Sequence, residues 1–150
     1  MKSLSWELVP HKGIESGAVK VFFGMERALL RSILSEFVGP PKSFQPDEDD
    51  YEAEDGTWIR LRFDSDKLRD IEFLGGSLFF AGTQLHHGAH WEVLQKSLAA
   101  QGHSFRETEW LGDGFDFVGL GINIATHEQL GGDEGDDGVE WIIASGDWSC

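Results

Sequence analysis

Residues 58–74 read Trp58-Ile59-Arg60-Leu61-Arg62-Phe63, then Asp64-Ser65-Asp66-Lys67, then Leu68-Arg69-Asp70-Ile71-Glu72-Phe73-Leu74. In the first run Ile59, Leu61 and Phe63 share one side and Trp58, Arg60 and Arg62 the other, the period-two pattern of a half-buried strand. The second run alternates again, with Ile71 and Phe73 set against Asp70 and Glu72. Two alternating runs around a short polar turn predict an antiparallel hairpin.

Upstream of this hairpin the period changes. Met25, Leu29, Leu30, Ile33, Leu34 and Phe37 fall on one stripe of a 3.6-residue helix, with Glu26, Arg27, Arg31 and Glu36 off it. Gly24 precedes the helix, and Gly39 with Pro40-Pro41 stops it. Before it, Val19–Phe23 reads as a strand, residues 13–17 as a loop and residues 4–9 as a short strand ending at Pro10. Between helix and hairpin, residues 45–55 hold seven acids and read as a loop.

Downstream of Gly75-Gly76 a similar order returns. Residues 77–81 read as a strand, and after Gly88 a helix carries Trp91, Leu94 and Leu98 up to Gly102. A loop with Trp110 and Asp113-Gly114 follows. Residues 117–125 read as an alternating strand with Val118, Leu120, Ile122 and Ile124 inward and Gly119, Gly121 and Asn123 outward. An acidic loop at 126–138 then leads to a closing strand at 139–144 and a tail at 146–150. The expected fold is α+β. Two tandem helix-then-antiparallel-strand units, about 19–74 and 77–144, share a mostly antiparallel sheet with the helices packed on one face, in a single compact domain over 1–150.

Composition narrows the function. The chain has 150 residues, 40% of them hydrophobic, with eleven Phe and six Trp, enough to build a core. Twenty-seven acids against twelve Lys and Arg give a formal net charge of −15. Phosphate contacts need clustered Lys and Arg, so nucleic acid is excluded as a partner. An anionic membrane surface is disfavoured by the same field, and a basic protein is favoured. No apolar run is long enough for a bilayer, and Met1–Pro10 has no apolar leader. Cys150 is the single cysteine. No intramolecular disulfide can form, which fits a reducing cytoplasm.

The stretch Phe22-Phe23-Gly24-Met25, the helix with Leu30, Arg31 and Ile33, then Gly39, Tyr51 and the hairpin 58–73, resembles the helix-then-hairpin unit of β-lactamase inhibitory protein. It also resembles related units of outer-membrane-assembly lipoproteins. Many bacterial immunity proteins of polymorphic toxin systems are short, acidic chains of this kind. The resemblance covers about 19–74 closely and 77–144 loosely. It implies a non-enzymatic inhibitor or immunity protein. The chain departs from the secreted inhibitors in having no leader and no disulfide cysteines, which favours a target met in the cytoplasm; a monomer or weak dimer is expected. The matching positions belong to the scaffold, so no interface residue is carried over.

His86, His87 and His90 offer an i, i+4 pair with ligand spacing, but Gly88 interrupts it and no His-Glu-x-x-His pattern is present. The acidic segments could offer oxygens to Ca²⁺, yet Glu140 comes too early to close a twelve-residue loop. No phosphate-binding or dinucleotide fingerprint occurs, Cys150 has no nearby His, and no metal or cofactor is expected. The acids are strongly clustered: residues 47–55 hold seven and residues 128–140 hold six. The expected partner-binding residues are therefore Asp47, Glu48, Asp49, Asp50, Glu52, Glu54 and Asp55 in the first segment. Asp133, Glu134, Asp136 and Asp137 are those of the second, with Trp58 and Trp110 as apolar anchors. The expected function is neutralisation of a basic toxin domain through this acidic surface. The alternatives are a metal- or small-ligand enzyme built on His86/His87/His90, and an acidic structural adaptor.

Overall fold

The alternation at 58–74 becomes the middle of a sheet. The structure, a computed structural model, describes residues 5–86, 88–107 and 114–146, and Phe37 by its backbone alone. Trp58–Asp64 and Lys67–Gly75 are antiparallel strands joined through Ser65 and Asp66, whose φ values are 51° and 61°. Positive φ at both central residues is the turn geometry whose twist matches the flanking strands.

In chain order the described elements are β1 (Ser5–Val9), β2 (Gly13–Ser16), β3 (Val19–Phe22), α1 (Arg27–Phe37), β4 (Glu48–Glu52), β5 (Trp58–Asp64) and β6 (Lys67–Gly75). These are followed by β7 (Ser77–Phe80), β8 (Thr83–His86), α2 (Trp91–Ala100), β9 (Arg106–Glu107), β10 (Phe115–Phe117), β11 (Ile122–Thr126) and β12 (Val139–Ser145). The protein thus mixes helix and strand and is mostly sheet. Among the described residues no helix is long and apolar enough to cross a membrane.

The expected single sheet with helices packed on one face is corrected. The described residues form two sheets, one of five strands in the order β3-β2-β1-β7-β8 and one of seven in the order β4-β5-β6-β12-β11-β10-β9. The chain passes from the larger to the smaller at Gly75-Gly76. Gly76 turns there with φ 94°, and a side chain on Gly75 would lie 2.5 Å from the Gly56 carbonyl. Among the described strands every pairing is antiparallel except β1 with β7. The smaller sheet puts Trp6, Leu8, Ile14, Val21 and Leu78 into the same core as Ile59, Leu61, Phe73 and Ile142 of the larger. Helices alone therefore do not cover the larger sheet, and the tandem helix-then-hairpin description fails. Period-two alternation tells which residues turn inward, but not which strand lies beside which.

Local corrections follow from the same cause. Residues 13–16, read as a loop, pair with both neighbours as β2. Thr83–His86 is an additional strand. The alternating run read at 117–125 is broken: β10 ends at Phe117, and β11 begins at Ile122 after a turn. Gly119 and Gly121 sit in that turn, and Val118 is exposed rather than inward.

Both helices start from a borrowed acceptor. The first N–H groups of a helix have no intrahelical partner, and neither N-cap side chain, Glu26 or His90, makes a capping bond. The Arg27 N–H instead donates to the Asp66 carbonyl (2.9 Å) in the β5–β6 turn, and the Leu68 N–H donates to Met25 (2.9 Å). At α2 the Trp91 N–H donates to the Asp137 carbonyl (2.8 Å), and the Val139 N–H to Ala89 (2.9 Å). Each helix is thereby tied to the connection between two central strands of the larger sheet.

Candidate functional site

The first acidic segment is not one surface. Glu48–Glu52 is the edge strand β4, and period two sends its acids to opposite faces. Asp49 is fully buried and held by two arginines of α1. Arg27 Nη2 donates to it at 2.7 Å and Arg31 Nη2 at 2.8 Å, while Ser43 Oγ donates at 3.0 Å. Burial pushes this carboxyl up, but the hydrogen bonds from Arg31, Arg27 and Ser43 outweigh it and bring the pKa down to about 2. The neighbouring Tyr51 hydroxyl is buried without a hydrogen-bond partner, and burial together with the Asp49 charge raises its pKa.

Asp50 points to the outer face, where it too is buried. The Trp58 indole N–H donates to it at 2.6 Å and Arg60 Nη2 at 3.0 Å. Arg60 and Arg62 also reach Glu72 of β6 and Glu48 of β4. The register sets Glu48 opposite Arg62, Asp50 opposite Arg60, and Arg60 opposite Glu72. Five charges therefore interlock across three strands. Asp49 and Asp50 are thus corrected from partner-binding to structural residues, and Glu48 is half-buried in the same lattice. Trp58 is half-buried and fixed by Asp50.

The remaining expected residues face solvent or border it. Asp47, Glu52, Glu54 and Asp55 are exposed, as are Asp133 and Glu134, and Asp136 and Asp137 are half-exposed. Trp110 lies outside the described residues, as do His87, Trp148 and Cys150. Strand register brings the two acidic turns to one end of the larger sheet. Trp58 pairs with Gly75, the last residue of β6, and Ile142 pairs with Phe73, so β12 begins at that same end. The β4–β5 turn (53–57) and the β11–β12 loop (127–138) project there, three strand spacings or roughly 14 Å apart.

The loop at 127–138 is ordered by its own acids. Asp137 Oδ2 accepts the Glu92 N–H at the start of α2 (3.0 Å), and Oδ1 faces His90 Nδ1 (2.9 Å). That backbone bond first, and His90 second, hold the Asp137 carboxyl below its ordinary range. The Gly138 amide first, and His127 second, do the same for Asp136.

The histidine cluster does not assemble. His86 belongs to β8, buried, with Nδ1 3.3 Å from the Gly76 carbonyl and Nε2 3.1 Å from that of Glu140. Its ring stands edge-on to Phe73 at 5.5 Å. His90 is exposed at the start of α2 and turned to Asp137. The two share no helix face, because β8 ends where the spacing argument needs a helix to begin. Among the described residues no group of three or more His, Cys, Asp or Glu side chains is arranged to hold a metal.

Sequence reasoning passed over two further groups. Buried Asp116 accepts from Asn123 Nδ2 (2.9 Å), whose Oδ1 lies 3.4 Å from the Trp141 indole nitrogen, and Arg106 Nε is 3.8 Å from Asp116. Asp116 between two Phe was the available signal for an alternating strand. Phe44 is 71% exposed beside Pro40, Lys42, Glu52 and Trp58, and nothing in the local pattern marks it. Comparison with protein-family models, with curated proteins and with solved structures finds no match for this chain.

Proposed function

We propose that this chain is a non-catalytic binding protein of the toxin-immunity kind, which seats a basic protein partner against its acidic end and covers the partner's active site. One observation carries the reading. All six arginines are taken up by the chain's own carboxylates: Arg27 and Arg31 by Asp49, Arg60 and Arg62 by Glu48, Asp50 and Glu72, Arg69 by Asp70, and Arg106 by Asp116. The charge left facing water is therefore strongly negative, and two of its concentrations share one end of the larger sheet. Such a field raises the encounter rate with a cationic cleft by roughly 10- to 1,000-fold. Half-buried Trp58 and exposed Phe44 supply apolar contact beside it.

The resemblance of residues 19–74 to the helix-then-hairpin unit of β-lactamase inhibitory protein supports the inhibitor reading. On this reading the encounter takes place in the cytoplasm, in keeping with the single Cys150. The test is co-expression with the product of the adjoining reading frame. Co-purification of a stoichiometric complex, and rescue of cells from that product's toxicity, are expected. Absence of both a complex and protection rejects the reading.

A further inference from the structure

The β11–β12 loop closes around one imidazole. His127 Nδ1 lies 3.2 Å from Asp136 Oδ2, and Nε2 lies 2.9 Å from Glu140 Oε2. A neutral imidazole carries one N–H and one lone pair. A ring with a carboxylate at each nitrogen can donate to both only when it is doubly protonated. The two acids sit on opposite sides of the ring, so this is a clamp and not a shared ligand set.

The backbone of the same residue organises the loop. The His127 N–H donates to the Gly138 carbonyl (2.9 Å), and the His127 carbonyl accepts the Gly132 N–H (2.7 Å). A side chain on Gly132 would lie 2.6 Å from that carbonyl, so the approach requires glycine. Asp136 Oδ1 in turn accepts the Gly138 N–H (3.1 Å). Ring, acids and loop hydrogen bonds form one connected unit.

We propose that His127 is a pH-operated latch on this acidic loop: protonated, it holds Asp136 and Glu140 and closes the loop on β12, and deprotonated it releases one of them and the loop loosens. The groups facing the ring are Asp136 from the loop and Glu140 from β12. Asp137, next to Asp136, is turned away to His90 and to the Glu92 N–H at α2. Asp136 stays ionised where imidazoles titrate, since its carboxyl is held low by the Gly138 amide and by His127. Imidazole is the side chain that changes charge between about pH 5 and 8. Opening removes one positive charge from the acidic end. The latch does not depend on what that end binds.

The test uses the whole chain, with amide hydrogen exchange at Gly132 and Gly138 and the His127 ring followed by NMR. Corrected for intrinsic exchange, protection at both amides falls several-fold from about pH 5 to about pH 8, in step with the ring. His127→Gln flattens that profile at its high-pH level. Glu140→Ala takes away the arm of the clamp at Nε2 and shrinks the pH-dependent change at both amides. His90→Gln leaves the Gly132 profile as in the parent protein. A flat profile in the parent protein, or a pH dependence that survives His127→Gln, overturns the latch.

Discussion

Arg27 Nη2 lies 2.7 Å from Asp49 Oδ1, so the first turn of α1 is bolted to the edge strand β4 through a carboxylate with no exposure to water. Arg27 also donates to the carbonyls of Pro46 (2.8 Å) and Glu48 (3.2 Å), and its guanidinium lies 5.0 Å from the centre of the Phe63 ring. One side chain thus fixes the chain leading into β4, β4 itself and β5.

Removing the carboxylate leaves two guanidiniums without their partner, one of them only 14% exposed. Breaking a buried pair from one side typically costs about 3–5 kcal/mol. Asp49→Ala is expected to lower unfolding free energy by about 3 kcal/mol, toward the small end because Arg31 is half in water. A shift of the urea midpoint at unchanged slope checks it. A change under about 1 kcal/mol would sink this assignment.

Acid exposes the same contact. The folded pKa of Asp49 is about 2, below the unfolded value, so its contribution is fully present above about pH 4 and is lost as pH falls toward 2. The difference amounts to about 2 kcal/mol. Comparing acid titrations of stability in the parent protein and Asp49→Asn isolates it: the variant's curve is expected to be flatter in that window.

The Trp58 indole bond to Asp50 is a neutral donor on a buried charge, worth about 1.5–3 kcal/mol. Trp58→Phe keeps most of the apolar contact and removes that bond. Destabilisation of about 2 kcal/mol is expected by denaturant melts, together with weaker coupling of Arg60 to Asp50 in a double-mutant cycle. Additivity of the Trp58 and Arg60 substitutions is the result that contradicts a shared network.

Gly76 turns the chain from one sheet to the other with φ 94°, and a side chain there would lie 3.1 Å from Thr57 Cα. Gly76→Ala is expected to cost about 1–3 kcal/mol, read as a drop in thermal midpoint. Because Thr57 belongs to the β4–β5 turn, the strain is expected to fall on that turn as well as on the passage between the sheets.

Exposed acids behave oppositely. Neutralising Glu52 and Glu54, or Asp133 and Glu134, removes charge without breaking any side-chain pair described above. Stability is expected to hold within about 0.5 kcal/mol. Association with the partner obtained by co-expression slows at low salt, and its salt dependence flattens. Stopped-flow rates that are unchanged at low salt count against electrostatic steering.

The clustering of the acids is readable in the sequence, but not its division into structural and exposed charge. The acidic stretch 45–55 reads as a loop because four consecutive acids and Glu52, Glu54 and Asp55 carry little strand propensity. Tertiary pairing overrode this: β5 offers Arg60 and Arg62 on one face, α1 offers Arg27 and Arg31 on the other, and alternate acids find a cation on each side. The arginines were visible in the sequence, but their distance from Asp49 along the chain was no guide to contact.

What the residues determined by themselves is local. Alternation set β5 and β6, helical spacing set α1 through Leu30, Ile33 and Leu34 though not Leu29, which is 51% exposed, and Trp91, Leu94 and Leu98 set the buried side of α2. Each depends on neighbours within a few positions, where side-chain period and backbone geometry are coupled directly. Tertiary structure alone decided that β1 lies parallel to β7, that a second sheet closes the core, and that Asp49 and Asp50 are buried while Asp133 and Glu134 are not. Those outcomes turn on pairings between segments far apart in the chain, which no local pattern encodes.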